Sequence, residues 1–244
     1  MIVERVENPR WLSNAYLVAD APGGHGVLVD DNGLTGSLEE RAAHDGIAIT
    51  HVLCTHGHPD HVVDIRALAT RVGAPLLAHP QTGVDADERL ANGAAILSGP
   101  LEIRALYTPG HCSDHLAFLV DGTHCLTADV LFKGTVGGTA GPTGDLGELK
   151  HSILDVLGSL DPATIVLPGH REATTIGDER ATNPFIRAWL HGEGLGEEPC
   201  RVSGEPATLL LWAPDYDGGH KALVRLATGE ETIVGGSRVE RLLT

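Results

Sequence analysis

Between Cys54 and His61 the chain reads Cys-Thr-His-Gly-His-Pro-Asp-His, with three histidines and an aspartate packed into the last six positions. So dense a run of metal-ligating side chains constrains everything around it, because one short segment cannot complete a coordination sphere and the fold must deliver further ligands from elsewhere. Just upstream, Ile47 to Cys54 is mostly apolar and rich in branched residues, which predicts a buried strand ending at Thr55. The histidines then occupy the loop after that strand. In extended backbone His56 and His58 project to the same side, as two ligands of one ion require. Pro59 pushes His58 towards an extended conformation and presets its own φ for a helix that Val62 to Leu68 continue as far as Gly73. Asp60 and His61 are expected at the start of that helix, turned towards a neighbouring position, so that one loop could serve two cations. The alternative, a chance cluster in a chain with 14 histidines, is decided by whether more ligands follow.

More do follow, each immediately after a predicted strand. Leu101 to Tyr107 leads into Thr108-Pro109-Gly110-His111; the strands His115 to Val120 and Thr123 to Ala128, joined by the turn pair Asp121-Gly122, lead to Asp129; Thr164 to Leu167 leads into Pro168-Gly169-His170. In the Pro-Gly pairs the glycine allows a sharp turn from which the next histidine can point inwards. Five histidines (His56, His58, His61, His111, His170) and two carboxylates (Asp60, Asp129) suit two borderline-soft cations such as zinc.

The remaining pattern places this set in one large domain, residues 1–191. Asn14 to Ala19 and Gly26 to Asp30 read as a hairpin, and Ser37 with Glu40 as a capping box opening a helix that Gly46 ends. Pro75 to His79 reads as a strand, Asp85 to Leu90 as a polar helical segment, and Gly134 to Gly147 as a glycine-rich loop shaping a pocket. Asp145 and Glu148 cap a helix whose Leu146, Leu149, Ile153, Val156, Leu157 and Leu160 share a core face, and a helix from Asp178 to Leu190 closes the domain. From Gly192 a Gly- and Pro-containing linker leads to alternating strands at Leu209 to Trp212 and Ala222 to Leu226. Residues 192–244 are thus expected to form a small β extension that covers an edge or makes a homodimer contact.

Lys and Arg number 17 against 33 Asp and Glu, a formal charge of −16, which argues against a nucleic-acid partner or an anionic membrane and for a small-molecule substrate. The first residues are acidic where a signal peptide would be basic, and no later run is long and apolar enough to span a bilayer; a cytoplasmic protein is expected. Cys54, Cys112, Cys125 and Cys200 form no Cys-x-x-Cys pair and read as reduced thiols.

Taken together, Thr55 to His61, Thr108 to His111, Ala128 to Gly134, Leu167 to His170 and Thr174 to Pro184 resemble the metallo-β-lactamase-fold hydrolases, and within them the glyoxalase II (hydroxyacylglutathione hydrolase) branch. The resemblance implies an α/β (α+β) fold, a four-layer αβ/βα sandwich, here with the C-terminal β appendage. It implies that His56, His58 and His111 hold one metal, Asp60, His61 and His170 the other, and that Asp129 bridges them. Zinc is the expected metal, with iron or manganese as alternatives. A water shared by the two cations would lose its proton and attack a thioester, with Asp60 also orienting that nucleophile. The carboxylate at Asp129, where antibiotic-degrading relatives carry cysteine or serine, argues against β-lactamase activity.

Two departures bear on the substrate. Related short glyoxalases carry Arg-Thr-Asp where this chain has Gly138-Thr139-Ala140, and the helical C-terminal extension with which long glyoxalases grip glutathione is replaced by β pattern. Lys133, Arg171 and Arg180 are the cations left to attract an anionic thiol carrier. The rival readings are a persulfide dioxygenase using one iron on His56, His111 and Asp129, a lactone or ester hydrolase at the same metal pair, and a non-enzymatic binding module.

Overall fold

The computed structural model describes residues 1–242. The described residues divide into two compact units: Met1–Tyr107 with Asp114–Ala128 and Leu167–Arg171, and Thr108–Ser113 with Asp129–Val166 and the residues from Glu172 onwards.

In the first unit, six strands form a mixed sheet in the order Ile2–Glu7, Asn14–Ala19, His25–Val29, Ala48–Leu53, Leu76–Ala78, Glu88–Arg89. The first three pair antiparallel and the last three join in parallel, each parallel step made by a crossover. The crossover helices Gly36–His44 and Ile65–Val72 bury Leu38, Ala42, Ile65, Leu68 and Ala69 against Leu17, Leu28, Val52 and Leu76 of the sheet. A second set of strands in the unit runs antiparallel in the order Ala95–Ser98, Leu101–Tyr107, Leu116–Val120, His124–Ala128.

Three expectations are corrected here. The first helix starts at Gly36 after Thr35, so Ser37 is not its cap. The second starts only at Ile65, because Val62 is drawn into a parallel bridge with Asp31; Asp31 N–H donates to His61 O and Val63 N–H to Asp31 O, and backbone used that way cannot wind into a helix. Asp60 and His61 therefore sit in a turn held to the sheet, and Gly73, at φ 69°, ends the helix as read. The polar segment Asp85 to Leu90 is no helix. Glu88–Arg89 extends the sheet, pinned by Asp87, whose carboxylate accepts from Leu76 N–H at 2.8 Å and pairs with Arg66.

In the second unit the glycine-rich segment contains a small hairpin, Leu131–Phe132 with Thr135–Val136. Asp145 caps the next helix as read, accepting from Glu148 N–H at 2.8 Å, and Leu149, Ile153 and Leu157 are buried along it. The helix expected from Asp178 to Leu190 is two, Ile176–Thr182 and Pro184–His191. The break falls at Asn183, which caps the second through Phe185 and Ile186 N–H while Pro184 fills its first position. The C-terminal residues form a five-stranded antiparallel sheet in the order Glu231–Gly235, His220–Leu226, Glu205–Pro214, Glu198–Val202, Val239–Arg241. Its core is Cys200, Val202, Leu209, Ala222, Val224 and Val234. No helix among the described residues is long and apolar enough to cross a membrane, and no disulfide joins the four cysteines, all of them buried.

Candidate metal centre

In the first unit the strand Ala48–Leu53 ends against Leu77 O, which accepts from Cys54 N–H, and Thr55 O accepts from Leu116 N–H. The loop thus leaves the sheet at a fixed point. His56 Nε2 and His58 Nδ1 stand 3.0 Å apart, and Gly57 between them passes close enough to the neighbouring loop for its N–H to donate to Asp114 Oδ2 at 2.9 Å. A side chain at Gly57 would place its Cβ 3.0 Å from both that carboxylate and Thr82 Oγ1.

Asp60, His61 and His170 form a triad of donors: the Asp60 carboxylate lies 3.6 Å from Nε2 of each histidine. Although His170 lies 109 positions after His61, their ring centroids are 5.4 Å apart. His170 is brought there by the second strand. Ser13 bridges it, Asn14 N–H donates to Gly169 O, and Asn14 Nδ2 and Tyr16 Oη both donate to Pro168 O, at 2.9 and 2.7 Å. Burial raises the Tyr16 phenol well above the ordinary tyrosine range, so it remains a donor.

Asp30 fixes which histidine nitrogens carry protons. It is 3 % exposed and accepts from Thr55 N–H at 2.8 Å, Thr55 Oγ1 at 2.7 Å and His61 Nδ1 at 3.0 Å. A carboxylate only accepts, so His61 carries its proton on Nδ1 and turns the Nε2 lone pair towards Asp60 and His170. The Thr55 hydroxyl gives its proton to Asp30 and must accept from His56 Nδ1 at 3.0 Å, which leaves the lone pair of His56 on Nε2, facing His58. Metal-ligating histidines are held in this way.

In the second unit His111 Nε2 lies 3.7 Å from the Asp129 carboxylate, and His111 Nδ1 donates to Gly138 O at 2.8 Å, which sets the same tautomer. Gly110, before it, has φ 124°, and a Cβ there would fall 2.2 Å from Leu149 N. The glycine requirement read from the first Pro-Gly-His is therefore physical. In the second Pro-Gly-His the left-handed residue is instead Arg171, at φ 62°. Ala128, directly before Asp129, is also left-handed at φ 41°, so strained backbone flanks ligand positions in both units.

Asp30 was not among the residues singled out by sequence, nor were Asn14, Tyr16 and Asp114. The available signal for Asp30 was the one that found the others, a polar residue directly after a strand, here His25–Val29. Of the cations left to attract an anionic substrate, Arg171 pairs with Glu7 at 3.3 Å and Arg180 donates to Gly158 O. His115, read as a packing residue, is fully buried with its ring centroid 5.2 Å from that of His56.

Imidazole and carboxylate donors of this kind, with the Nδ1 protons of His56, His61 and His111 engaged elsewhere, have the chemistry of divalent-metal ligands. Residues 8–170 match the metallo-beta-lactamase superfamily, and the chain belongs to it. It is 32 % identical over 231 residues to a hydroxyacylglutathione hydrolase of Anaeromyxobacter dehalogenans, covering 88 % of each chain. Among solved structures it is similar to ETHE1 from Myxococcus xanthus, with TM-score 0.71, 28 % identity and coverage of 79 % of this chain and 92 % of that one. It is also similar to TTHA1623 in a di-iron-bound form, with TM-score 0.64, 29 % identity and coverage of 76 % and 100 %. These relatives support a glyoxalase II-like branch within the superfamily.

Proposed function

We propose that this protein is a metal-dependent hydrolase of small thioesters of the hydroxyacylglutathione type. Asp60, His61 and His170 would hold one divalent ion, and the further donors for a metal are His56 and His58 in the first unit and His111 and Asp129 in the second. Imidazole and carboxylate donors suit zinc, and accept iron or manganese. When bound, the ions supply Lewis acidity and an acidified water.

The protein's own residues do the rest. Asp30 keeps the Nδ1 protons of His61 and, through Thr55, of His56 away from the ions, and Gly138 O does the same for His111. Asp60, a quarter exposed where its neighbours His61 and His170 are buried, is placed to orient a water molecule and accept its proton. A thioester needs little further help, since a thiolate with a conjugate-acid pKa of about 8.5 departs without a strong general acid. The negative net charge disfavours nucleic acid and anionic membranes and leaves a small molecule as substrate.

The observation that carries this reading is the proton pattern around Asp30, which presents lone pairs, not N–H groups, to the centre. A second reading, a one-iron persulfide dioxygenase, draws on the similarity to ETHE1, and the metal count and the reaction distinguish it. Elemental analysis of protein purified without added metal, followed by assays on thioesters, lactones and a persulfide with oxygen uptake recorded, tests the proposal. Two ions per chain and thioester hydrolysis are expected. One iron with oxygen consumption would give the reaction to the dioxygenase class, and fully loaded protein inert on every substrate would overturn enzymatic function.

A further inference from the structure

The C-terminal sheet carries a feature that an edge cover does not need. Lys221, on the strand His220–Leu226, is 5 % exposed; its ammonium donates to Val136 O at 2.7 Å, pairs with Asp215 at 3.0 Å, and lies 5.2 and 5.1 Å from the ring centres of Phe132 and Tyr216. Burying a lysine is costly, and burial here pushes its pKa down while Asp215 pulls it back. The next strand grips the same segment three residues on. Thr139 N–H donates to Ile233 O at 3.0 Å, Ile233 N–H donates to Thr139 Oγ1 at 2.9 Å, and Thr139 Oγ1 meets Thr232 Oγ1 at 2.9 Å.

Between the two grips lie Gly137 and Gly138. Gly138 O is the acceptor that sets the His111 tautomer. Gly137 N–H donates to Val130 O, and a Cβ on Gly137 would stand 2.1 Å from Asp129 O and 3.3 Å from His111 Cβ. Two successive glycines have little conformational preference of their own, so the position of Gly138 O depends on what anchors either side. On the far side of the hairpin, buried Glu179 accepts from Gly134 N–H at 2.9 Å, and Asn183 donates to Thr135 O at 3.1 Å.

We propose that the C-terminal sheet is a working part of the metal centre: through Lys221 and Thr139 it clamps Val136–Thr139 and thereby positions His111 and Asp129 as ligands. Lys221 is a positioning residue, two steps removed from any ion. The inference rests on the metal-binding reading above and assigns the extension a task within it.

The test is metal affinity by chelator competition, with each site's occupancy followed by stoichiometry, in wild type, Lys221→Met, Thr139→Val and the control Arg201→Gln, whose side chain lies exposed on the same sheet. Loss of a group that orients a ligand typically weakens metal binding about 10- to 100-fold. Weakening of that size is expected for one of the two ions in both Lys221→Met and Thr139→Val, with the other ion and the control unchanged. Melting of the metal-free proteins accompanies the titrations. If the variants lose stability without metal but bind both ions as wild type does, the sheet is only a cover and the inference fails. Thr139→Val, which removes a single hydroxyl, decides the matter should Lys221→Met not fold. A wild type that binds no metal would sink the metal-binding reading itself, before any variant is compared.

Discussion

The Asp30 carboxylate lies 3.0 Å from His61 Nδ1 and 2.7 Å from Thr55 Oγ1, so that one buried acid sets the tautomers of two histidines, His61 directly and His56 through the threonine. Acceptance is what matters here, and an amide of the same size tests it. The Thr55 hydroxyl and His61 Nδ1 share Asp30 Oδ2 while Thr55 N–H meets Oδ1. In Asp30→Asn the NH2 group therefore faces either the Thr55 N–H, opposing two donors, or the shared hydroxyl and His61 N–H, where both histidines would have to turn their protons inwards. Metal affinity is expected to fall about 10- to 100-fold with the fold intact. Chelator competition and circular dichroism on the same sample check this, and unchanged affinity would contradict the tautomer assignment.

The two donor sets also make separable predictions. His170→Gln breaks the triad with Asp60 and His61, while His111→Gln removes the partner of Asp129. Each variant should bind one equivalent of metal where wild type binds two, and each should lose hydrolysis. Elemental analysis at limiting chelator reads the count. A variant that loses both ions together would mean that the sets do not fill independently.

Gly110→Ala is expected to damage the protein far more than Gly169→Ala, although both glycines stand in Pro-Gly-His. At Gly110 the backbone has φ 124° and the new Cβ would meet Leu149 backbone at 2.2 Å, a contact that no side-chain rotation relieves. Destabilisation well beyond the ~1 kcal/mol of an ordinary glycine change is expected in urea unfolding.

Much of this is legible in the sequence because the candidate ligands follow strands. An alternating or apolar run that stops at a histidine or aspartate marks both the strand and the place where its chain end projects, and the candidates His56, His111, Asp129 and His170 are legible that way. The errors came where long-range hydrogen bonds compete with local propensity. Val62 has helix-compatible neighbours, yet its bridge to Asp31 delays the helix to Ile65, and Glu88 lies in a polar, helix-favouring run that Asp87 and Arg66 pin as an edge strand. The task of Lys221 was out of reach for a different reason. A lone lysine in a β pattern reads as a solvated cation, and only the fold brings Val136 and Asp215 to it.

Alkaline stability provides the last prediction. Cys125 is fully buried, and desolvation pushes its thiol from 9.0 up to about 12; the same cause raises the Tyr16 phenol above its ordinary 10.0, and raises Cys54, to which the charge of Asp30 adds. All three are neutral in the folded protein and ionise at lower pH in the unfolded chain. Between the unfolded and folded pKa the native state therefore binds more protons, and stability must fall as pH rises. Their contribution is whole below about pH 9, where neither state ionises them, and is lost upwards through pH 12 for Cys125, at about 1.4 kcal/mol per pH unit for each group. Unfolding of metal-free, reduced wild type and Cys125→Val in urea across this range isolates one thiol. The variant's stability should decline less steeply from pH 9 by about that one-proton slope. Parallel curves would show that Cys125 ionises as readily folded as unfolded and that its burial exerts no hold on the proton.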